Sequence, residues 1–150
     1  MAYVPFHDYF PKLAERETRA IHLFEGGPFP AIPRGEYGLL EAFCDDPDCD
    51  CRRVMWSVAS SRERGIVAVV AYGWESRQFY QEWYGSNDAS VIAEMCGPVL
   101  NLASLQAAFA PAILDMITQI VLPDKKYLER VKRHYALFRG KIGKPPQLMA

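Results

Sequence analysis

The spacing of apolar residues changes twice along this chain, and the changes divide it into three regions. From residue 8 to 24 it is helical. Phe10, Leu13, Ala14, Ala20, Ile21 and Phe24 recur on one side, with Lys12, Glu15, Arg16 and Arg19 elsewhere and Glu17 interrupting the stripe. Pro11 belongs in a first turn, so the helix should begin near Asp8, and Gly26-Gly27-Pro28 should end it. Beyond the prolines at 28, 30 and 33 the sequence turns strand-like. Three runs, 37–43, 53–59 and 66–72, are separated by short links, the last being rich in β-branched residues. They predict an antiparallel meander. Helical spacing then returns at Phe79, Tyr80, Trp83 and Tyr84 ahead of a Gly85 C-cap, an aromatic group expected to pack on the sheet. It recurs behind Asp88 with Val91, Ile92, Met95 and Cys96, stopped by Gly97-Pro98. Ser104 can cap another segment, broken at Pro111 and followed by the stripe Ile113, Leu114, Ile117, Ile120 and Val121. Pro123-Asp124 opens a last helix whose Tyr127, Val131, His134 and Phe138 share one face before Gly140 closes it. The pattern predicts an α+β domain with an N-terminal helix, a three-stranded antiparallel meander and a helical C-terminal half. The 150 residues fit one domain, 1–150, with a loosely held tail over 141–150.

Between the first two strand runs lies Cys44-Asp45-Asp46-Pro47-Asp48-Cys49-Asp50-Cys51, followed by Arg52-Arg53-Val54. Three of the four cysteines fall within these eight residues, at the tip of a predicted hairpin. Pro and Asp fold such a turn, and clustered thiolates supply corners of a metal tetrahedron. Soft thiolates select zinc or iron–sulfur over calcium despite the four neighbouring aspartates. A disulfide between Cys49 and Cys51 would close a very small, strained ring. The pattern points to a metal knuckle holding zinc through Cys44, Cys49 and Cys51. For the fourth ligand, His134 on the inward face of the last helix is favoured narrowly over Cys96. Cys96 sits in the last turn of a helix, where the dipole opposes a thiolate. Asp45, Asp50 or a bound water is the third possibility.

Composition changes this picture little. Half the residues are hydrophobic and the formal net charge is -1, as in globular domains. The charge is uneven, however: Asp124 to Ala150 carries eight Lys and Arg against two acids. A basic end of this kind offers Lys125, Lys126, Arg130, Lys132, Arg133, Arg139 and Lys141 to phosphates, although a solvated helix face is the commoner outcome. No apolar run approaches the roughly 18 residues that would span a bilayer, so no membrane association is expected. Met1 to Phe10 lacks the basic and apolar regions of a signal peptide, which gives a cytoplasmic expectation and reduced thiols.

The run Phe43 to Val54, with its three cysteines and Arg52-Arg53, resembles a motif in uncharacterised bacterial proteins classed as domains of unknown function. Tyr127 to Phe138, with Arg133-His134-Tyr135, resembles the closing helix of the same proteins. That resemblance implies a metal site and a bacterial origin, and no reaction. The expectation is therefore a small zinc protein whose metal is structural and which acts by binding a partner. A metal-dependent hydrolase with an open zinc position is one alternative, though H-E-x-x-H and the zinc-deaminase pattern are absent. A nucleic-acid-binding module using the basic C-terminal helix is the other.

Overall fold

The computed structural model describes residues 2–143. The described residues form an α+β domain around a six-stranded antiparallel sheet. Its centre is the expected meander: β3 (Gly35–Cys44), β4 (Arg53–Ser60) and β5 (Gly65–Gly73). Their alternation sends Tyr37, Leu39, Glu41 and Phe43 of β3 and Val54, Trp56 and Val58 of β4 to one buried face. Cross-strand register aligns these rows, Glu41 facing Trp56 and Leu39 facing Val58. Strand β5 is buried on both faces from Val67 to Ala71, which is why it reads as a continuous apolar run rather than an alternating one.

Three further short strands extend the meander. β1 (Tyr3–Pro5) and β2 (Ala20–Leu23) both pair with β3, at its C-terminal and N-terminal ends respectively. β6 (Val99–Leu100) pairs with β5 on the far side. The expected helix over 8–24 is therefore corrected. It is two short pieces, α1 (Phe6–Tyr9) and α2 (Pro11–Glu17), followed by strand β2. Phe10, with φ -132° and ψ 61°, breaks the first turn before Pro11 can restart it. Thr18 adopts extended backbone and turns its hydroxyl back to the Ala14 carbonyl. Beyond it Ile21 is buried opposite Tyr37 while Ala20 and His22 face solvent, a period of two that is hidden in a four-residue strand beside helical spacing.

On the other side of the chain, α3 (Arg77–Tyr84) ends at Gly85 in left-handed conformation, and α4 (Ala89–Cys96) starts at Asp88, whose carboxylate accepts from the Ser90 amide. Of the aromatic group on α3 only Tyr80 is fully buried; Trp83 and Tyr84 are exposed. Ser104 does not cap a helix. Residues 101–107 run along β5 instead, with the Asn101 and Ala107 amides donating to Val69 and Val67. Helix α5 (Ala110–Met116) carries Pro111 in its first turn, where it fits, and widens into a π-turn over Ile117–Val121.

The long helix α6 (Lys125–Lys141) is capped by Asp124 and lies across the buried sheet face. Tyr127, Val131, His134, Tyr135 and Phe138 are buried there, with Phe43 in ring contact with both Tyr135 and Phe138. It runs one residue past Gly140, so only part of the expected loose tail is seen; the rest lies outside the described residues.

Candidate metal centre

The β3–β4 connection is built to bring thiols together. Asp46 Oδ1 accepts from the Asp48 amide at 2.9 Å, and the Cys49 amide donates to the Asp46 carbonyl at 3.0 Å, with Pro47 at the corner. Arg52, at φ 52°, is a left-handed residue that redirects the chain into β4. The result places Cys44, Cys49 and Cys51 with their sulfur atoms all within 4.8 Å of one another. All three are buried, at 0%, 6% and 2% exposure, and unoxidised. Tetrahedral zinc with Zn–S bonds of about 2.3 Å has sulfurs about 3.8 Å apart, so one ion fits with little movement. Thiolates of an iron–sulfur cluster bind different irons and stand farther apart, which fits less well. The group could hold a metal ion.

Proton sharing among the thiols points the same way. The Cys51 thiol donates towards both neighbours, pulling the Cys44 pKa down to about 6 and lowering that of Cys49. Cys51 is pushed up because its proton serves both. Three buried sulfurs that share protons chiefly with one another are a cluster whose protons a cation can replace.

The loop is tied to the rest of the molecule at several points. Arg139, 2% exposed, donates from Nη1 to the Asp46 carbonyl and from Nη2 to the Pro47 carbonyl, each at 2.9 Å. Tyr135 donates to Asp50 Oδ1 at 2.8 Å and accepts from the Arg52 amide at 3.2 Å. Arg52 itself pairs with Asp50 Oδ2 at 2.9 Å and lies over the Phe79 ring at 4.6 Å. Tyr80 donates to the Arg52 carbonyl at 2.8 Å. Burial pushes the phenols of Tyr80 and Tyr135 up, so both remain donors across the neutral range. From the N-terminus, the Asp45 amide donates to the Ala2 carbonyl and Asp45 Oδ1 accepts the Ala2 amide.

None of the candidate fourth ligands joins the thiols. His134 is corrected on its geometry. Its Nδ1 lies 2.7 Å from Glu41 Oε1 and its Nε2 2.7 Å from Glu17 Oε1, while the ring stacks on Phe6. With both nitrogens held by carboxylates it has no lone pair to give a metal. Burial opposes its charge, but the bonds and charges of Glu41 and then Glu17 outweigh that, and its pKa is raised. Cys96 ends α4 half-buried, outside the group of close sulfurs. Asp50 spends both oxygens on Tyr135 and Arg52, Asp45 Oδ1 accepts the Ala2 amide, and neither carboxylate joins the group of close sulfurs.

The contribution of α6 to the tip thus comes from Tyr135 and Arg139 rather than His134. Sequence reading placed Arg139 on the solvated basic face. Its position four residues after Tyr135 and one after Phe138 puts it about 40° from the buried stripe, and that was the available signal. Other basic residues are engaged internally as well. Arg133 pairs with Glu17 at 3.0 Å, and Arg130 donates to the Glu17 carbonyl at 3.0 Å. No described helix is long and apolar enough to cross a membrane. Compared with protein-family models, with curated proteins and with solved structures, the chain gives no match in any of the three.

Proposed function

We propose that this chain is a small zinc-binding domain in which Cys44, Cys49 and Cys51 hold one structural ion, and that it acts by binding a partner rather than by catalysis. The observation that carries this reading is the convergence of three buried, unoxidised sulfurs within 4.8 Å at a hairpin tip. Soft donors at that spacing favour zinc over calcium or magnesium. The tip is the meeting point of β1, the central hairpin, α3 and α6, so an ion there stabilises several elements together.

The hydrolase alternative draws support from the lack of a fourth His, Cys, Asp or Glu in the group of described residues. Against it, three thiolates leave zinc a poor Lewis acid, and Asp46 and Asp50 spend oxygens on the loop rather than stand ready as a general base. Nucleic-acid binding through Lys125, Lys126, Arg130 and Arg133 is weaker too, because the two arginines are committed to Glu17.

Elemental analysis after gel filtration tests the proposal. The wild-type chain should carry about one zinc, and Cys49→Ser should carry almost none. Full zinc content in the variant would overturn it.

A further inference from the structure

One residue beside the thiols belongs to neither the loop nor the helices that hold it. Tyr3 stands opposite Cys44 in the register of β1 with β3 and packs its ring against the cysteine cluster. Its hydroxyl oxygen accepts from Arg53 Nη1 at 3.1 Å. Burial first, and then the neighbouring Cys51 sulfur, hold this phenol well above the usual tyrosine range. Arg53 is fixed independently, with Nε on the Met95 carbonyl at 3.0 Å and Nη2 on the Glu94 carbonyl at 3.3 Å. The guanidinium therefore occupies the acceptor side of the Tyr3 oxygen, and the hydroxyl hydrogen is left to point at sulfur.

We infer that Tyr3 is a positioning residue of the metal centre: its hydroxyl donates to Cys51 Sγ, sets the electron density on that sulfur, and links the N-terminal strand to metal binding. The inference rests on the metal reading above. Three thiolates around a divalent ion leave one net negative charge in a buried site. A donor aimed at one sulfur spreads that charge, and such a charge-assisted bond is roughly twice as strong as a neutral one. Partners of this kind orient a ligand and tune its basicity, and losing one costs about 10–100-fold in metal affinity. The register makes the arrangement dependent on β1. The Ala2–Asp45 pairing brackets Tyr3 on the knuckle side, so the strand cannot leave without removing the donor.

Co(II) loading of the full chain and of Tyr3→Phe is the test, because the variant keeps the ring and deletes only the hydroxyl. The inference expects Tyr3→Phe to take up one Co(II) per chain with affinity lowered about 10–100-fold. It also expects a moved sulfur-to-metal charge-transfer band and d–d bands of undiminished intensity. Unchanged affinity and spectrum would overturn the inference and leave Tyr3 a packing residue. Collapse of the d–d bands would overturn it as well, by making the phenol oxygen a ligand. Should Tyr3→Phe fold poorly, the wild-type chain loaded with ¹¹³Cd gives a readout that needs no variant. A Tyr3 hydroxyl proton slow to exchange and coupled to cadmium through sulfur is expected, and one exchanging like a surface tyrosine would overturn the inference. Failure of the wild-type chain to bind Co(II) or Cd(II) would bring down the metal reading and this inference together. Uptake with an indifferent Tyr3→Phe would overturn the inference alone.

Discussion

Two polar clusters are held by α6, one around His134 and one at the knuckle through Tyr135 and Arg139, and they differ in their partners. Around His134 every group has a partner. Glu41 takes His134 on one oxygen and the Tyr127 hydroxyl on the other, Tyr127 accepts from Trp56 Nε1, and Glu17 joins His134 to Arg133. Around the cysteines the loop's backbone and aspartates are equally well tied, but the sulfurs have little beyond one another and Tyr3. A buried network with all its bonds made holds a fold together, whereas three close soft sulfurs could hold a metal ion. Both clusters use α6, yet only the thiols have the donor chemistry of a metal group.

That comparison has measurable consequences, the largest at the tip. Stripping the metal with a chelator, or replacing Cys49 by Ser, should loosen the hairpin and lower thermal stability strongly, because binding energy at a structural zinc site is folding energy of about 10 kcal/mol or more in small domains. Hydrogen exchange localised to residues 44–53 checks where the loss occurs. His134→Ala should cost about 3–5 kcal/mol by leaving Glu41 buried without its partner, while zinc content stays near one per chain. Denaturant melts and elemental analysis on the same sample separate the two effects, and zinc lost with His134 would erase the distinction between the clusters. Arg139→Ala should cost about 2–3 kcal/mol by freeing the Asp46 and Pro47 carbonyls. It should also weaken metal binding, unlike His134→Ala, since it releases the loop. Cys96→Ala is expected to cost about 1 kcal/mol and leave zinc content unchanged.

The clusters should also respond to pH in opposite senses. The raised pKa of His134 means that its pairing contributes fully below its unfolded value of 6.5 and fades as pH climbs through the higher folded one. Glu17 is held down at about 2, by Arg133 first and His134 next, so its contribution is present above 4.5 and fades as pH falls towards 2. The network is thus fully engaged between about pH 4.5 and 6.5. Metal binding displaces protons from thiols and strengthens as pH rises. In metal-free Cys49→Ser, stability from the network should decline above neutrality, while zinc retention by the wild type falls on acidification. Parallel declines on the same side would contradict two independent clusters.

Much of this was legible in residue order because it depends on local pattern. The meander, the Asp88 cap, the opening of the last helix at Pro123-Asp124, the Gly85 C-cap and the gathering of Cys44, Cys49 and Cys51 all follow from periodicity and turn chemistry. The fourth-ligand reading failed for a different reason. Facing inward identifies His134 as buried but not what it faces, and the decisive carboxylates come from positions 93 and 117 residues away. Glu17 looked like a flaw in a helical stripe and is instead the residue that pairs with α6. Arg139 and Tyr3 reach the knuckle only because β1 and α6 converge on it, and no spacing rule encodes that convergence. Strand β2 escaped notice because four residues cannot distinguish a period of two from a period near four when neighbours are helical.

X-ray absorption at the zinc edge of the loaded wild-type chain tests the central claim most directly, because it sees the donors themselves. Three sulfurs at about 2.3 Å with no imidazole scattering are the predicted result. An imidazole signature, or fewer than three sulfurs, would contradict an ion held by Cys44, Cys49 and Cys51 and a His134 given over to Glu41 and Glu17.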